Sequence, residues 1–92
     1  MEHLSIKDIH DRLEELKGWE LIGHEITKEF HFKDFKEAMG FVNKIAEEAE
    51  RENHHPDIFI RYNKVSIALT THDAGGLTYK DFKLARVIEQ LI

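Results

Sequence analysis

The sequence contains no cysteine and only one proline, Pro56, among its 92 residues. Without cysteine the chain can form no disulfide, carries no thiolate nucleophile and cannot build a sulfur-liganded zinc site. It also shows no internal repeat, no low-complexity segment and no linker. We therefore expect residues 1–92 to form one small domain.

Long apolar runs are absent as well. No stretch approaches the roughly 18 apolar residues that a membrane-spanning helix requires. The first sixteen residues, "MEHLSIKDIHDRLEEL", are too highly charged for a secretory signal peptide. We expect a cytoplasmic protein that does not contact membranes, and the lack of cysteine fits a reducing compartment.

Basic residues are also fewer than acidic ones. The chain has 13 Lys and Arg against 18 Asp and Glu, which gives a formal net charge of −5. Because binding to nucleic acid needs a basic face that neutralises phosphates, we do not expect a nucleic-acid partner. A chain of this length buries a modest core, and small domains often gain stability by self-association.

Apolar periodicity predicts seven elements in the order α-β-β-α-β-β-α. Helices are predicted over 5–16, over 35–51 and from Thr78 onward, and strands over 19–23, 25–32, 57–62 and 65–71. Strands that follow each other directly in pairs indicate antiparallel hairpins, with the helices segregated to one face. The predicted fold is therefore a two-layer α+β domain with a four-stranded antiparallel sheet.

Each predicted helix begins at a residue that can cap it. Ser5, Asp34 and Thr78 each precede an acidic residue by three positions, as in a capping box. The third of these acidic residues, Asp81, is accordingly interpreted as a helix-cap partner rather than a catalyst.

Three histidines cluster around the second predicted hairpin. His54 and His55 directly precede Pro56, and His72 follows His55 by seventeen residues. We take Asn63 and Lys64 as the centre of the turn, because this choice makes apolar residues face each other across the strands. The expected pairs are Tyr62 with Val65, Ile60 with Ile67 and Ile58 with Leu69. The same register places His55 directly opposite His72.

Three interpretations of this cluster are open from the residues alone. Imidazole titrates near pH 6.5, so neighbouring histidines could give and take protons, as a dehydration requires. Three histidines could also hold zinc, although adjacent residues on a strand point to opposite faces, which disfavours His54 and His55 as joint ligands. Alternatively they are ordinary surface residues, since the chain contains seven histidines in all.

At these residues the sequence resembles the pterin-4a-carbinolamine dehydratase family. The family motif is matched by Glu50, by the triplet His54, His55 and Pro56, by the aromatic Tyr62 six residues later, and then by His72 and Asp81. The flanking stretches "FHFKDFKEAMGFV" and "YNKVSIALTTHDAGGLTYKDFKLARVIEQ" also resemble the family. The resemblance extends over the chain from about residue 18 onward.

The resemblance implies dehydration of 4a-hydroxytetrahydrobiopterin to quinonoid dihydrobiopterin and water, a step in the recycling of tetrahydrobiopterin. It assigns His54, His55 and His72 as acid–base catalysts and implies no metal or organic cofactor. It places the pterin against residues 54–56 and 71–74, which comprise His54, His55, Pro56, Thr71, His72, Asp73 and Ala74. Glu50, Tyr62 and Asp81 support the motif.

The resemblance also implies partners and a competing function. Family members form homodimers or homotetramers. Some animal members serve as dimerisation cofactors for a transcription factor. The alternative to an enzyme is therefore a non-enzymatic, oligomeric interaction protein.

Overall fold

The computed structural model describes residues 2–92 and confirms the predicted α+β fold with its order of elements. The helices are α1 (Ile6–Leu13), α2 (Phe35–Glu52) and α3 (Tyr79–Glu89). The strands are β1 (Glu20–Ile22), β2 (Glu25–His31), β3 (Asp57–Arg61) and β4 (Lys64–Leu69), and a 3₁₀ turn covers His72–Ala74.

The predicted helix starts are confirmed by their side-chain caps. The Ser5 hydroxyl accepts a hydrogen bond from the backbone N–H of Asp8 (3.2 Å), and the Asp34 carboxylate accepts one from Glu37 (2.9 Å). These bonds satisfy backbone donors that have no partner within the first turn of a helix. The first helix is shorter than the predicted 5–16, because residues 14–17 form turns instead.

The sheet has the strand order β1-β2-β4-β3, and every neighbouring pair is antiparallel. The central strands β2 and β4 alternate between buried and more exposed side chains, and the buried ones face α2 and α3. The resulting core includes Ile26, Phe30, Phe41, Ile45, Val65, Ile67, Leu69, Phe82, Leu84 and Ile88, all of them buried. Trp19 is also buried there. Within residues 2–92 no helix combines the length and the apolar character needed to cross a membrane.

The predicted register of the second hairpin is wrong by two residues. Ile60 faces Val65 and Ile58 faces Ile67, so the turn is centred on Tyr62 and Asn63. Asn63 sets this turn because its backbone carbonyl accepts from the Phe32 N–H (2.8 Å) and its side-chain amide donates to the Phe32 carbonyl (2.9 Å). Tyr62 takes the positive φ of 52° that the turn requires.

This shift overturns the direct pairing of His55 with His72. Because side chains on a strand alternate between faces, a shift of two residues keeps the apolar residues on the same face. The ladder ends with Asp57 opposite Ala68, so neither His55 nor His72 is part of it. His72 lies beyond β4, in the 3₁₀ turn.

Candidate functional site

The end of α2 determines where the adjacent histidines lie. Asn53 adopts a left-handed conformation (φ 50°, ψ 42°), which stops the helix. The backbone N–H of the next residue, His54, donates a hydrogen bond to the Ala49 carbonyl at 3.1 Å. Pro56 cannot continue a helix, and β3 begins immediately after it. His54 and His55 therefore occupy the corner between α2 and β3.

A buried carboxylate connects this corner to two other segments. The Asp81 side chain is fully buried, and its Oδ1 lies 2.6 Å from His54 Nε2. Its Oδ2 accepts a hydrogen bond from the Thr71 hydroxyl (2.8 Å) and another from the Thr78 backbone N–H (2.9 Å). Asp81 thus joins the α2–β3 corner, the chain after β4 and the start of α3.

The direction of these hydrogen bonds follows from the chemistry of the groups. An ionised carboxylate can only accept, so His54 Nε2 and the Thr71 hydroxyl both donate to Asp81. Because the Thr71 hydroxyl donates its proton to Asp81, its oxygen accepts a hydrogen bond from the Thr78 hydroxyl, 2.8 Å away. The bond at Nε2 leaves Nδ1 of a neutral His54 ring as the nitrogen that can accept a proton. The His54 side chain is 11% exposed, so the protein encloses most of the ring without sealing it completely from solvent.

His55 has a separate acidic partner. Its Nε2 lies 2.5 Å from Glu50 Oε2, with both side chains more than half exposed. Such an exposed pair contributes little to folding stability, so its main effect is on the orientation of the ring. Nearby on α2, the Arg51 guanidinium donates a hydrogen bond to the Glu48 carboxylate, and this contact raises the pKa of Arg51.

His72 begins the 3₁₀ turn that follows the buried Thr71. The turn is closed by hydrogen bonds from the Ala74 N–H to the Thr71 carbonyl and from the Gly75 N–H to the His72 carbonyl, both at 3.0 Å. Gly75 then takes the left-handed conformation that ends the turn (φ 72°). The His72 ring is exposed, and within residues 2–92 no hydrogen bond to it is found.

Most of the predicted site residues thus lie at one end of the sheet. His54 and Thr71 contact the same carboxylate, His55 and Pro56 follow His54, and His72, Asp73 and Ala74 follow Thr71. Tyr62 is the exception, because it lies in the turn at the other end of β3. Six residues of extended chain, at about 3.3 Å each, put it roughly 20 Å from Pro56.

Among the residues that bind Asp81, Thr78 is the one that the sequence did not indicate as part of the site. Its spacing from Asp81 correctly predicted a capping box, which the structure confirms. Sequence spacing alone does not show that the other carboxylate oxygen faces His54, because that contact joins residues 27 positions apart.

The sequence left open the possibility that the three histidines hold a zinc ion. In residues 2–92 no group of three or more His, Asp or Glu side chains is arranged to hold a metal ion.

Comparison with known proteins agrees with the motif. The family model described as "Pterin 4 alpha carbinolamine dehydratase" matches residues 2–91. Two relatives are named "Putative pterin-4-alpha-carbinolamine dehydratase". The one from Acidobacterium capsulatum is 55% identical over the full length of both chains. The one from Cyanothece sp. is 57% identical over 88 residues, which cover 96% of this chain and 91% of the relative.

Two solved structures have the same fold. The crystal structure of a protein from Brucella melitensis, described as a transcriptional coactivator/pterin dehydratase, superposes with a TM-score of 0.93 at 37% identity and covers 97% of each chain. A pterin dehydratase-like protein described as a RuBisCO assembly factor of the alpha-carboxysome gives a TM-score of 0.65 at 20% identity, over 79% of this chain and 84% of its own. At that identity the second likeness concerns the fold alone.

Proposed function

Since this chain belongs to the pterin-4-alpha-carbinolamine dehydratase family, we propose that it dehydrates 4a-hydroxytetrahydrobiopterin to quinonoid dihydrobiopterin and water. The observation that carries the proposal is the hydrogen bond between His54 and the buried Asp81, which also binds Thr71. It links motif residues from distant parts of the sequence into one site. The same proposal places the activity in the cytoplasm, which cell fractionation can test.

The reaction needs two proton transfers and no change of oxidation state. The bond between C4a and the hydroxyl oxygen breaks, and an acid supplies the proton with which the hydroxyl leaves as water. A base removes the proton from N5, and the freed electron pair forms the double bond between N5 and C4a. Imidazole can serve in either role near neutral pH, and we propose that His54, His55 and His72 share these roles.

The surroundings of the three rings support acid–base roles for these histidines. His54 is oriented by a fully buried carboxylate, which holds its Nε2 proton and leaves Nδ1 available. His55 is oriented by Glu50 on the preceding helix. His72 has no partner among residues 2–92, so both of its ring nitrogens are available to a ligand. We propose that the pterin lies against Pro56 and the turn formed by Thr71, His72, Asp73 and Ala74.

Formation of quinonoid dihydropterin from the 4a-carbinolamine, followed by stopped-flow absorbance, tests the proposal. We expect His54→Ala and His72→Ala each to lower kcat about 10²-fold, the lower end of the contribution of general acid–base catalysis. His55→Ala should also lower it. His31→Ala is the matched control, because His31 forms a similar exposed pair with Glu29 on β2. If all the variants dehydrated the substrate as fast as the wild type, the proposed catalytic site would be wrong.

A second candidate function is that of a non-enzymatic interaction protein. It is favoured by the likeness to the Brucella melitensis protein, which is described as a transcriptional coactivator/pterin dehydratase. The open face of the sheet also presents Phe59 with 75% of its surface exposed. A wild-type protein that binds a partner but does not accelerate dehydration would favour this alternative over the enzyme.

A further inference from the structure

An open pocket of about 440 Å³ lies beside His72. One side is formed by Gly23 and His24 in the turn between β1 and β2, and another by Thr70, His72 and Gly75. Its size falls within the range of about 300–1,000 Å³ that is typical of small-molecule sites. A ligand that contacts His72 from this pocket therefore also meets the first hairpin.

The position of His24 is fixed relative to the site. Ile22 faces Glu25 in the ladder, so Gly23 and His24 form a tight two-residue turn, with Gly23 at a φ of 61°. The Thr70 hydroxyl donates to the His24 carbonyl at 2.7 Å. Thr70 directly precedes Thr71, whose own hydroxyl is bound to Asp81. The turn is thus anchored to the same segment that carries His72.

The His24 ring is suited to bind a polar group. It is exposed, lines the pocket, and forms no hydrogen bond that is found within residues 2–92. A neutral imidazole offers one donor and one acceptor, which matches a hydroxyl group. In a pterin, C6 is bonded to N5, and N5 is bonded to the reacting C4a. The C6 side chain therefore leaves the ring close to the atoms that the catalytic histidines must reach.

We infer that His24 hydrogen-bonds a hydroxylated C6 side chain of the pterin and so determines which pterin is preferred. This inference rests on the proposed function, because it takes the ring to be bound at His72. It assigns to the first hairpin a part in substrate selection that the motif residues do not include. Catalysis itself does not require His24, since the bonds that break and form lie within the ring.

The test compares two 4a-carbinolamine substrates, one with the 1,2-dihydroxypropyl side chain of tetrahydrobiopterin and one with a methyl group at C6. We expect His24→Ala to lower kcat/KM about two- to tenfold for the dihydroxypropyl substrate, as loss of one hydrogen bond would. For the methyl substrate we expect a change of less than about twofold, because it has no hydroxyl to lose. His24→Gln, which keeps a donor and an acceptor, should restore part of the loss.

His10→Ala is the matched control, because His10 is an exposed histidine of α1 that does not line this pocket. An equal loss on both substrates, or no loss on either, would overturn the role of His24. Calorimetric Kd values for oxidised biopterin and 6-methylpterin give a readout that needs no turnover. If the wild type dehydrates neither substrate, the proposed function fails, and the biopterin affinity of His24→Ala still decides the role of His24.

Discussion

At the scale of single residues, Asp81 has two structural roles. One carboxylate oxygen completes the capping box of α3 through the Thr78 backbone, and the other holds His54. The capping role followed from the sequence, since a threonine and an acidic residue three positions apart predict it locally. The second role depends on a contact between residues that only folding brings together.

The pair formed by Asp81 and His54 leads to a prediction for Asp81→Asn. The amide can still accept from the Thr78 N–H, but its NH₂ group then faces His54 Nε2 and cannot accept a proton from it. The ring must therefore move its proton to Nδ1, the nitrogen that we propose faces the substrate. We expect kcat to fall about 10²-fold.

Nitrogen NMR of the His54 ring distinguishes this explanation from simple unfolding. The ring should carry its proton on Nε2 in the wild type and on Nδ1 in Asp81→Asn. A variant that keeps the Nε2–H tautomer and full activity would contradict the role given to Asp81. Urea denaturation should show a loss of about 1.5–3 kcal/mol, because hydrogen bonds to a charged group are replaced by neutral ones.

At the scale of secondary structure, the ends of elements determine the site more than their interiors do. Asn53 ends α2, Thr78 begins α3, and the 3₁₀ turn follows β4, and all three ends meet around Asp81. The helices and strands could be predicted because their apolar patterns extend over many residues. The hairpin register could not, because it depends on hydrogen bonds between Asn63 and Phe32 that join different hairpins.

The left-handed cap of α2 gives a prediction at this scale. A β-branched residue tolerates the φ of Asn53 poorly, whereas glycine adopts it readily. We expect Asn53→Val to lower the free energy of unfolding by about 1–3 kcal/mol and to reduce dehydratase activity, because His54 follows directly. Asn53→Gly is the control and should retain both properties. If Asn53→Val matched it in urea denaturation and in activity, the cap would not position His54.

At the scale of the whole molecule, one face of the sheet lies against the helices and the other is open. The strands β1 and β3 are at the edges of the sheet. We propose that residues 1–92 act as one domain, in agreement with a family match that spans nearly all of them.

We also propose that the protein is a homodimer or homotetramer. A chain of 92 residues with exposed apolar side chains on its surface, Phe59 among them, gains stability when copies cover that surface. We expect sedimentation equilibrium to give the mass of two or four chains. A single-chain mass at micromolar concentration would contradict the proposal, and the activity measured in the same sample would show whether assembly is needed.

The sequence by itself determined the α+β class, the order of the elements, the helix caps and the family motif. These features depend on apolar periodicity and on contacts within a few residues, which the sequence shows directly. Only the tertiary structure decided that His54 meets Thr71 through Asp81 and that His24 lies across a pocket from His72. It also showed that His55 does not face His72, because the turn forms around Asn63. Such contacts join residues that are far apart along the chain, so no local pattern specifies them.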